Sequence, residues 1–593
     1  MRIAGQTLSL ILVANAILAL PGCGIDADIE DGETDAFPDG KADGGIDEGS
    51  PEALGVLALV NTASETASKL REDAHVTSKV ATNITKHRDG ADGQAGTADD
   101  DKFDTLKELD DVPYVGPATL NALLEAARAK GLVHGGPKLS VIFSPQPAAT
   151  SSNAKIAQLI STAQHNVDVA IYSYSDAGIA AALADRAAHG VKIRFLFDTA
   201  SEDRKLTDPA AIASSKSGKI EAAKVDVRWV NKILHHKVLI VDGPRDDKAA
   251  AKTAKVVMGS ANWSLTGSTV FDEDTIVIED SAEMAAAYQH EFDILWKGSR
   301  DFAGGAPAQP NSTANIATAD VADDAGIEAV FTSANFRPTG LDGTTWSADK
   351  TKMTMSKVWV DAIDRAKTSI HIASTHLRLR PVADALIAKH MAHPEVDIKV
   401  YLDQQEWIST SGDSAQKAEL ADCLAAATTD NQRLDCSYND FLFSKSLVDA
   451  GITTRFKVYS YRWDATMAAQ MHSKYMVIDG KELISGSYNL SMNSENGTFE
   501  NALHLTNPAF KGAVDQFEQN FSTIFETGRA ANLLAALRTR ISTDAIIPMV
   551  FDNMAVTWAE FDALRTLIRQ NCVDADSQDF RDNPPAHKTC TRH

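Results

Sequence analysis

Two octapeptides in this chain carry the same polar residues at the same spacing. Residues 235–242 read His-His-Lys-Val-Leu-Ile-Val-Asp, and residues 472–479 read His-Ser-Lys-Tyr-Met-Val-Ile-Asp. Gly259-Ser260-Ala261-Asn262 follows the first and Gly486-Ser487-Tyr488-Asn489 the second, and a glutamate stands 13 residues past each serine, at Glu273 and Glu500. A lone His-x-Lys on a strand is commonplace; two copies sharing six polar positions are not. A histidine and a lysine buried side by side are costly unless an anion meets them. A phosphate supplies that anion: the lysine contributes positive charge, Ser and Asn side chains donate to non-bridging oxygens, and glycine lets the backbone approach.

The duplication suggests how such groups react. If two halves pack about a pseudo-twofold axis, His235 and His472 face one phosphodiester from opposite sides. One attacks phosphorus in line and the other protonates the leaving oxygen, after which water or an alcohol resolves a phosphohistidine. Glu273 and Glu500 are placed to hold the second ring nitrogens and fix the tautomers. The chemistry calls for no metal and no cofactor, and the residues alone leave the two histidines interchangeable.

Each octapeptide is aliphatic between its polar ends and reads as a buried strand, whose side chains alternate faces. His235 and Lys237 therefore share a face, as do His472 and Lys474. Asp242 and Asp479 fall on the opposite face, which suits orientation or support better than reaction. Through these motifs the chain resembles the phospholipase D superfamily over about residues 138–527, where they match the two HKD signatures. The resemblance implies His235 as nucleophile, His472 as general acid, and Lys237, Asp242, Lys474 and Asp479 as the remaining motif residues, with Ser260, Asn262, Ser487 and Asn489 binding phosphate and Glu273 and Glu500 in support.

The elements that must position these residues also come in pairs. Val191–Asp198 matches Val396–Asp403 in position and character, and Val167–Ser173 matches Ser369–Ser374. Strands alternating with helical stretches predict an α/β fold: two similar halves, 138–303 and 326–527, each a mixed sheet flanked by helices and related by a pseudo-twofold. Residues 304–325 read as a linker and 528–593 as a C-terminal extension. Pro244–Lys255 is extra sequence in the first half, read as a hairpin insertion near the mouth of the site. A longer insertion follows Asp403 in the second half, to about Val448. Trp263 reads as lining the pocket or packing, and His371, His376, Arg378 and Arg380 sit near a strand end from which they could reach the site.

The 593 residues exceed what one core supports, and 44% hydrophobic with 23% charged residues is ordinary globular composition. The formal net charge of −24 opposes generic nucleic-acid binding. Met1-Arg2 and the apolar run Leu8–Leu20 read as a signal peptide over residues 1–22, with Cys23 as the lipidated residue of a bacterial lipobox or, alternatively, with cleavage nearer Ala14-Asn15-Ala16 and free secretion. Residues 24–53 hold eleven acids against the single base Lys41 and read as a disordered tether, covering 23–53 with the cysteine. Residues 54–135 read as a small all-α unit in which Leu106–Leu120 resembles a helix-hairpin-helix, with Val112–Gly116 as its turn. Glu108, Asp110 and Asp111 beside that turn favour a structural or docking role over DNA contact. The Asp-rich loop from Asp89 to Asp101 lacks EF-hand spacing and reads as solvated. Four cysteines besides Cys23 suggest local disulfides Cys423–Cys436 and Cys572–Cys590 in an exported chain, and the spacing of His587 and Cys590 does not make a metal site.

Three functions follow. The first is an exported, monomeric phosphodiesterase acting on phospholipid at a membrane surface of the cell envelope, or as a secreted protein. The second is a nuclease of the same superfamily, and the third a non-catalytic surface-binding lipoprotein, against which both intact motifs argue.

Overall fold

The computed structural model describes residues 46 to 591 apart from 47, 49, 98, 134–135, 199–200, 438–440, 465–466, 545 and 580–588. Residues 1–45, with the apolar N-terminal run, Cys23 and most of the acidic stretch, lie outside the described residues.

Two eight-stranded mixed sheets carry the chain's duplication strand for strand. The first runs, edge to edge, Lys138–Ser144, Glu273–Glu279, Lys255–Gly259, Lys237–Val241, Asn166–Ile171, Lys192–Phe197, Asp226–Val230 and Ser299–Asp301. The second runs Ile327–Phe331, Asn501–Leu505, Glu482–Gly486, Lys474–Ile478, Ser369–Ser374, Asp397–Asp403, Thr453–Ser460 and Val550–Thr557. In each sheet the three strands that enter through helical crossovers pair parallel, and the motif strand joins them antiparallel. The last strand of the second sheet lies beyond residue 527, so the second half reaches into the C-terminal stretch; its counterpart in the first sheet is the short Ser299–Asp301.

The sheets are buried on both faces, which is why their central strands read as continuous aliphatic runs. Each sheet keeps an outer core of its own, Ile156, Val169, Phe195 and Leu239 in the first half and Ile372, Val400, Phe456 and Met476 in the second. Between the sheets lies a shared core to which both motif strands contribute: Val238 and Ile240 from one, Tyr475 and Val477 from the other. The helices Ala282–Lys297 and Lys511–Phe525 fill it with Tyr288, Phe292, Trp296, Phe517, Phe521 and Phe525. At about 25 cal/mol per Å² of apolar surface buried, this common layer is what docks the halves in one arrangement.

The N-terminal unit has its own core around Leu57, Ile84, Leu106 and Leu123. This unit takes in residues before 54: Ile46 is buried, Glu48 accepts from the Leu106 amide, and Ser50 caps the helix Pro51–Asn61. The disordered tether as read from composition is therefore too long at its C-terminal end. The hairpin is present as Leu106–Asp111 and Pro117–Ala129, with Tyr114 exposed at its turn and Lys79 over the Tyr114 ring. Asp99 and Asp100 of the acidic loop bind amides of that same loop.

The Pro244–Lys255 segment does form the hairpin connection, but away from the site. The strand Lys237–Val241 begins beside His235 and ends at Asp242, so the link to Lys255–Gly259 turns at the far end. There Arg245 is buried against Asp168. The segment after Asp403, by contrast, leaves a strand at the motif end. It forms the helices Thr410–Ala426 and Asp430–Cys436, which a Cys423–Cys436 disulfide ties together. Cys572 is also disulfide-bonded, and the Cys590 side chain is outside the described residues. Among the described residues no helix is long and apolar enough to cross a membrane.

Candidate active site

Each histidine sits where its chain enters the motif strand, and each entry is tied to the other half. Ile233–Leu234 pairs with Thr498–Phe499, and the His235 amide donates to the Phe499 carbonyl at 3.0 Å. In the pseudo-twofold-related place Asp272 bridges Met471, and the His472 amide donates to the Asp272 carbonyl at 2.9 Å. The glutamates are consequently exchanged. His235 Nδ1 lies 2.9 Å from Glu500, and His472 Nδ1 lies 2.8 Å from Glu273. Both imidazoles thus lie at the junction of the halves, each bonded to a glutamate of the other half.

Two aspartates that sequence reasoning passed over hold these entries in place. Asp198 directly follows the strand Lys192–Phe197, and Asp403 ends the matching strand Asp397–Asp403. Each accepts from the amide of the residue just before the histidine, Leu234 at 2.8 Å and Met471 at 3.0 Å. The signal was there, in a strand-terminal aspartate repeated in both halves.

Lys237 and Lys474 lie on the histidine face of their strands and reach back to the carbonyl oxygens of His235 and His472. Lys474 also donates to Thr375 Oγ1 at 3.0 Å, whereas Lys237 lies 5.1 Å from the ring centre of Tyr172, which meets His235 edge-on. Gly259 and Gly486 permit the close pass of the adjoining strands: a Cβ would stand 2.4 Å from the Asp274 carbonyl oxygen and 2.2 Å from that of Asn501. Among the described residues, Asn262 and Asn489 each bury a side-chain oxygen without a hydrogen-bond partner, a matched pair in the two halves. Trp263 is buried and packs. A cavity of about 230 Å³ is lined by Tyr172, Tyr174, Asp198, Ser201 and Lys216.

Asp242 and Asp479 are not brought to the histidines. Both follow the motif strand in left-handed backbone, at φ 50° and 53°, which aspartate tolerates better than most residues. Asp242 accepts from the amides of Gln164, His165 and Asn166, and Asp479 from those of Lys367, Thr368 and Ser369. They clamp the start of the neighbouring strand. Asp242→Ala is expected to cost about 2–3 kcal/mol of stability, three amides losing an ionised acceptor, while turnover per folded molecule stays within about threefold; chemical denaturation alongside an activity assay separates the two.

Of the other candidates, His371 stacks on Phe521 and bonds Glu518, away from the site. Arg380 pairs with Asp384 on its own helix. His376 and Arg378 are held by the buried Glu406, and His376 stands close enough to His472 to depress it further.

Burial dominates the electrostatics. It pushes His235 down to about 4 against the pull of Glu500, and His472 well below its ordinary value, so neither ring is charged at neutral pH. Burial likewise lowers Lys237 to about 7 and Lys474 to about 8. The glutamates differ. Burial would raise Glu500, but His235, Lys237 and Ser487 outweigh it and hold the carboxylate ionised. Glu273 is pushed up to about 8 by burial and by Asp274, in spite of Lys474, Ser260 and Lys237. An anion entering here would raise both lysines and both histidines together.

Two halves that exchange glutamates across one junction, each with its own His-x-Lys strand, define a duplicated two-histidine α/β protein. The family model described as "Cardiolipin synthase, PLD-like domain" matches residues 156–296 and 359–525, just over half of the chain, and the chain belongs to the phospholipase D superfamily. Over 155 residues it is 28% identical to the mitochondrial cardiolipin hydrolase of Xenopus tropicalis, and over 153 residues 33% identical to the phospholipase D of Rickettsia bellii. Each match takes in 26% of this chain and spans 65% of the relative's length. Among solved structures, the phosphatidylserine synthase of Haemophilus influenzae aligns over 66% of this chain and 89% of its own, with TM-score 0.39 and 14% identity. The phospholipase D family member Nuc from Salmonella typhimurium aligns over 28% of this chain and 98% of its own, with TM-score 0.23 and 24% identity.

Proposed function

We propose that this chain is an exported phosphodiesterase of phospholipase D type that cleaves or transfers the phosphodiester of phospholipids through a phosphohistidine. The observation that carries the reading is the reciprocal pairing of His235 with Glu500 and His472 with Glu273 at one junction. His235, its Nδ1 donating to an ionised glutamate, presents a bare Nε2 as nucleophile. In-line attack forms the P–N bond and breaks the P–O bond; His472 gives its Nε2 proton to the departing oxygen. Lys237 and Lys474 neutralise the non-bridging oxygens, and the side-chain N–H groups of Asn262 and Asn489 donate to them. The negative charge of Glu500 then steadies the cationic phosphohistidine, and His472, now a base, draws a proton from the incoming water or alcohol.

A lipid substrate is supported by the net charge of −24, by the apolar leader with Cys23 behind it, and by the names of the relatives above. The test is incubation of the purified protein, in chelator, with phosphatidylcholine vesicles and with single- and double-stranded DNA. Release of free head group with intact DNA is the expected result. Nicked DNA would select the nuclease, and silence on both with an intact fold a binding protein.

A further inference from the structure

The pseudo-twofold breaks at the two glutamates, and three side chains break it. Thr498 donates to Glu500 Oε1 at 2.8 Å; the residue at its place in the first half is Phe271, whose ring has nothing to donate. Ser487 donates to Glu500 at 2.6 Å, whereas its counterpart Ser260 turns its hydroxyl to Asp274 at 2.9 Å. Asp274 in turn stands where the second half has the neutral Asn501. Glu500 therefore collects three donors: His235, Ser487 and Thr498. Glu273 bonds His472 and gains only a minor further contribution from Ser260, stands next to a second carboxylate, and among the described residues its buried Oε2 has no hydrogen-bond partner. The charged and titratable groups facing this pair are Lys474, Lys237, His235 and His376 on the histidine and Lys474, Lys237 and Asp274 on the glutamate. A buried carboxylate without donors is costly, and a carboxylic acid avoids that cost.

We infer that Glu273 holds the proton used to expel the leaving group: it is a carboxylic acid donating to His472 Nδ1, so that His472 stands as a neutral ring with its proton on Nε2. This rests on the two-histidine reading above and says where the acid's proton resides. The step balances. As His235 Nε2 bonds to phosphorus, the P–O electron pair leaves on oxygen. That oxygen takes the Nε2 proton of His472, and the Glu273 proton moves to Nδ1, leaving the Glu273 carboxylate bonded to Nδ1–H. Dephosphorylation runs the relay backwards. A neutral acid suits a site that burial makes hostile to an imidazolium, and the burial that raises Glu273 to about 8 keeps it loaded at neutral pH.

The experiment compares Glu273→Gln with Glu500→Gln on two substrates, phosphatidylcholine vesicles and bis(p-nitrophenyl) phosphate, whose aryl oxygen departs without needing a proton. For Glu273→Gln the expected loss is about 10³-fold on the lipid and less than about tenfold in the p-nitrophenolate burst; Glu500→Gln loses about 10²-fold or more on both. A second variant, Phe271→Thr/Asp274→Asn, gives Glu273 the surroundings of Glu500. It should move the alkaline limb of the lipid pH profile, expected near 8 in the natural protein, to lower pH. Equal losses on both substrates for Glu273→Gln, or an alkaline limb that the double variant leaves in place, would overturn the proposal. Failure of the natural protein to cleave either substrate would instead remove the phosphodiesterase reading, and the proposal with it.

Discussion

His235→Ala and His472→Ala each lower lipid turnover by about 10⁴-fold or more, because residues acting as one unit fail together when either is removed. The two variants part company on bis(p-nitrophenyl) phosphate. His472→Ala still lets His235 attack, since the aryl leaving group needs no acid, but no base remains to admit water. A phosphoenzyme accumulates that is labile to acid and stable to alkali, as a phosphoramidate is. His235→Ala forms none. Both histidines are uncharged and buried at neutral pH, and Glu500 keeps Ser487 and Thr498 when His235 is gone. The melting temperature therefore changes by about 3 °C at most. Phosphoenzyme on the His235→Ala protein, or lipid turnover surviving either change, would sink the shared-site mechanism.

Period-two alternation makes the strand faces legible in the sequence, because a strand buried on both sides has little freedom in how it presents a His-x-Lys. The paired strands at Val191 and Val396 disclosed the duplication for a similar reason: parallel central strands are aliphatic from end to end. Docking was another matter. A spacing of 13 puts a glutamate near some histidine, yet its partner depends on Thr498–Phe499 adding to Ile233–Leu234 across the halves, a contact without local pattern. Polarity alone likewise drew the Pro244–Lys255 loop to the mouth of the site, whereas strand direction puts it at the opposite end. The edge strand Val550–Thr557 was missed because it joins its sheet from beyond residue 527, outside the repeat. The asymmetry of the glutamates was readable in principle, as Phe271 against Thr498 and Asp274 against Asn501. Its meaning needed the geometry that gives the Ser260 hydroxyl to Asp274.

Lys237→Met and Lys474→Met should each lower turnover by about 10²–10³-fold, the usual cost of removing one group that stabilises developing charge, and yet make the protein harder to melt at pH 7. Unfolded lysine titrates near 10.5, and burial depresses these two to about 7 and about 8 in the folded state. Between the folded and unfolded values the unfolded chain binds more protons, so the natural protein gains stability as pH rises through that window. Below it both states carry the charge and the folded state bears the full penalty; above about 10.5 neither does. Each unit of depression corresponds to about 1.4 kcal/mol, and an isosteric methyl carries no such penalty. The Met variants should therefore melt about 2–5 °C higher at neutral pH, with the gap closing toward pH 10.5. Glu273, raised to about 8, contributes the opposite slope between its unfolded value near 4.5 and 8, which is why the difference between natural and variant protein is the informative quantity. Tungstate, an oxyanion of the right shape, should raise the melting temperature of the natural protein at pH 7 and leave the Met variants nearly unmoved. A gap independent of pH, or variants that tungstate stabilises as much as the natural chain, would mean that these lysines do not wait, uncompensated, for a phosphate.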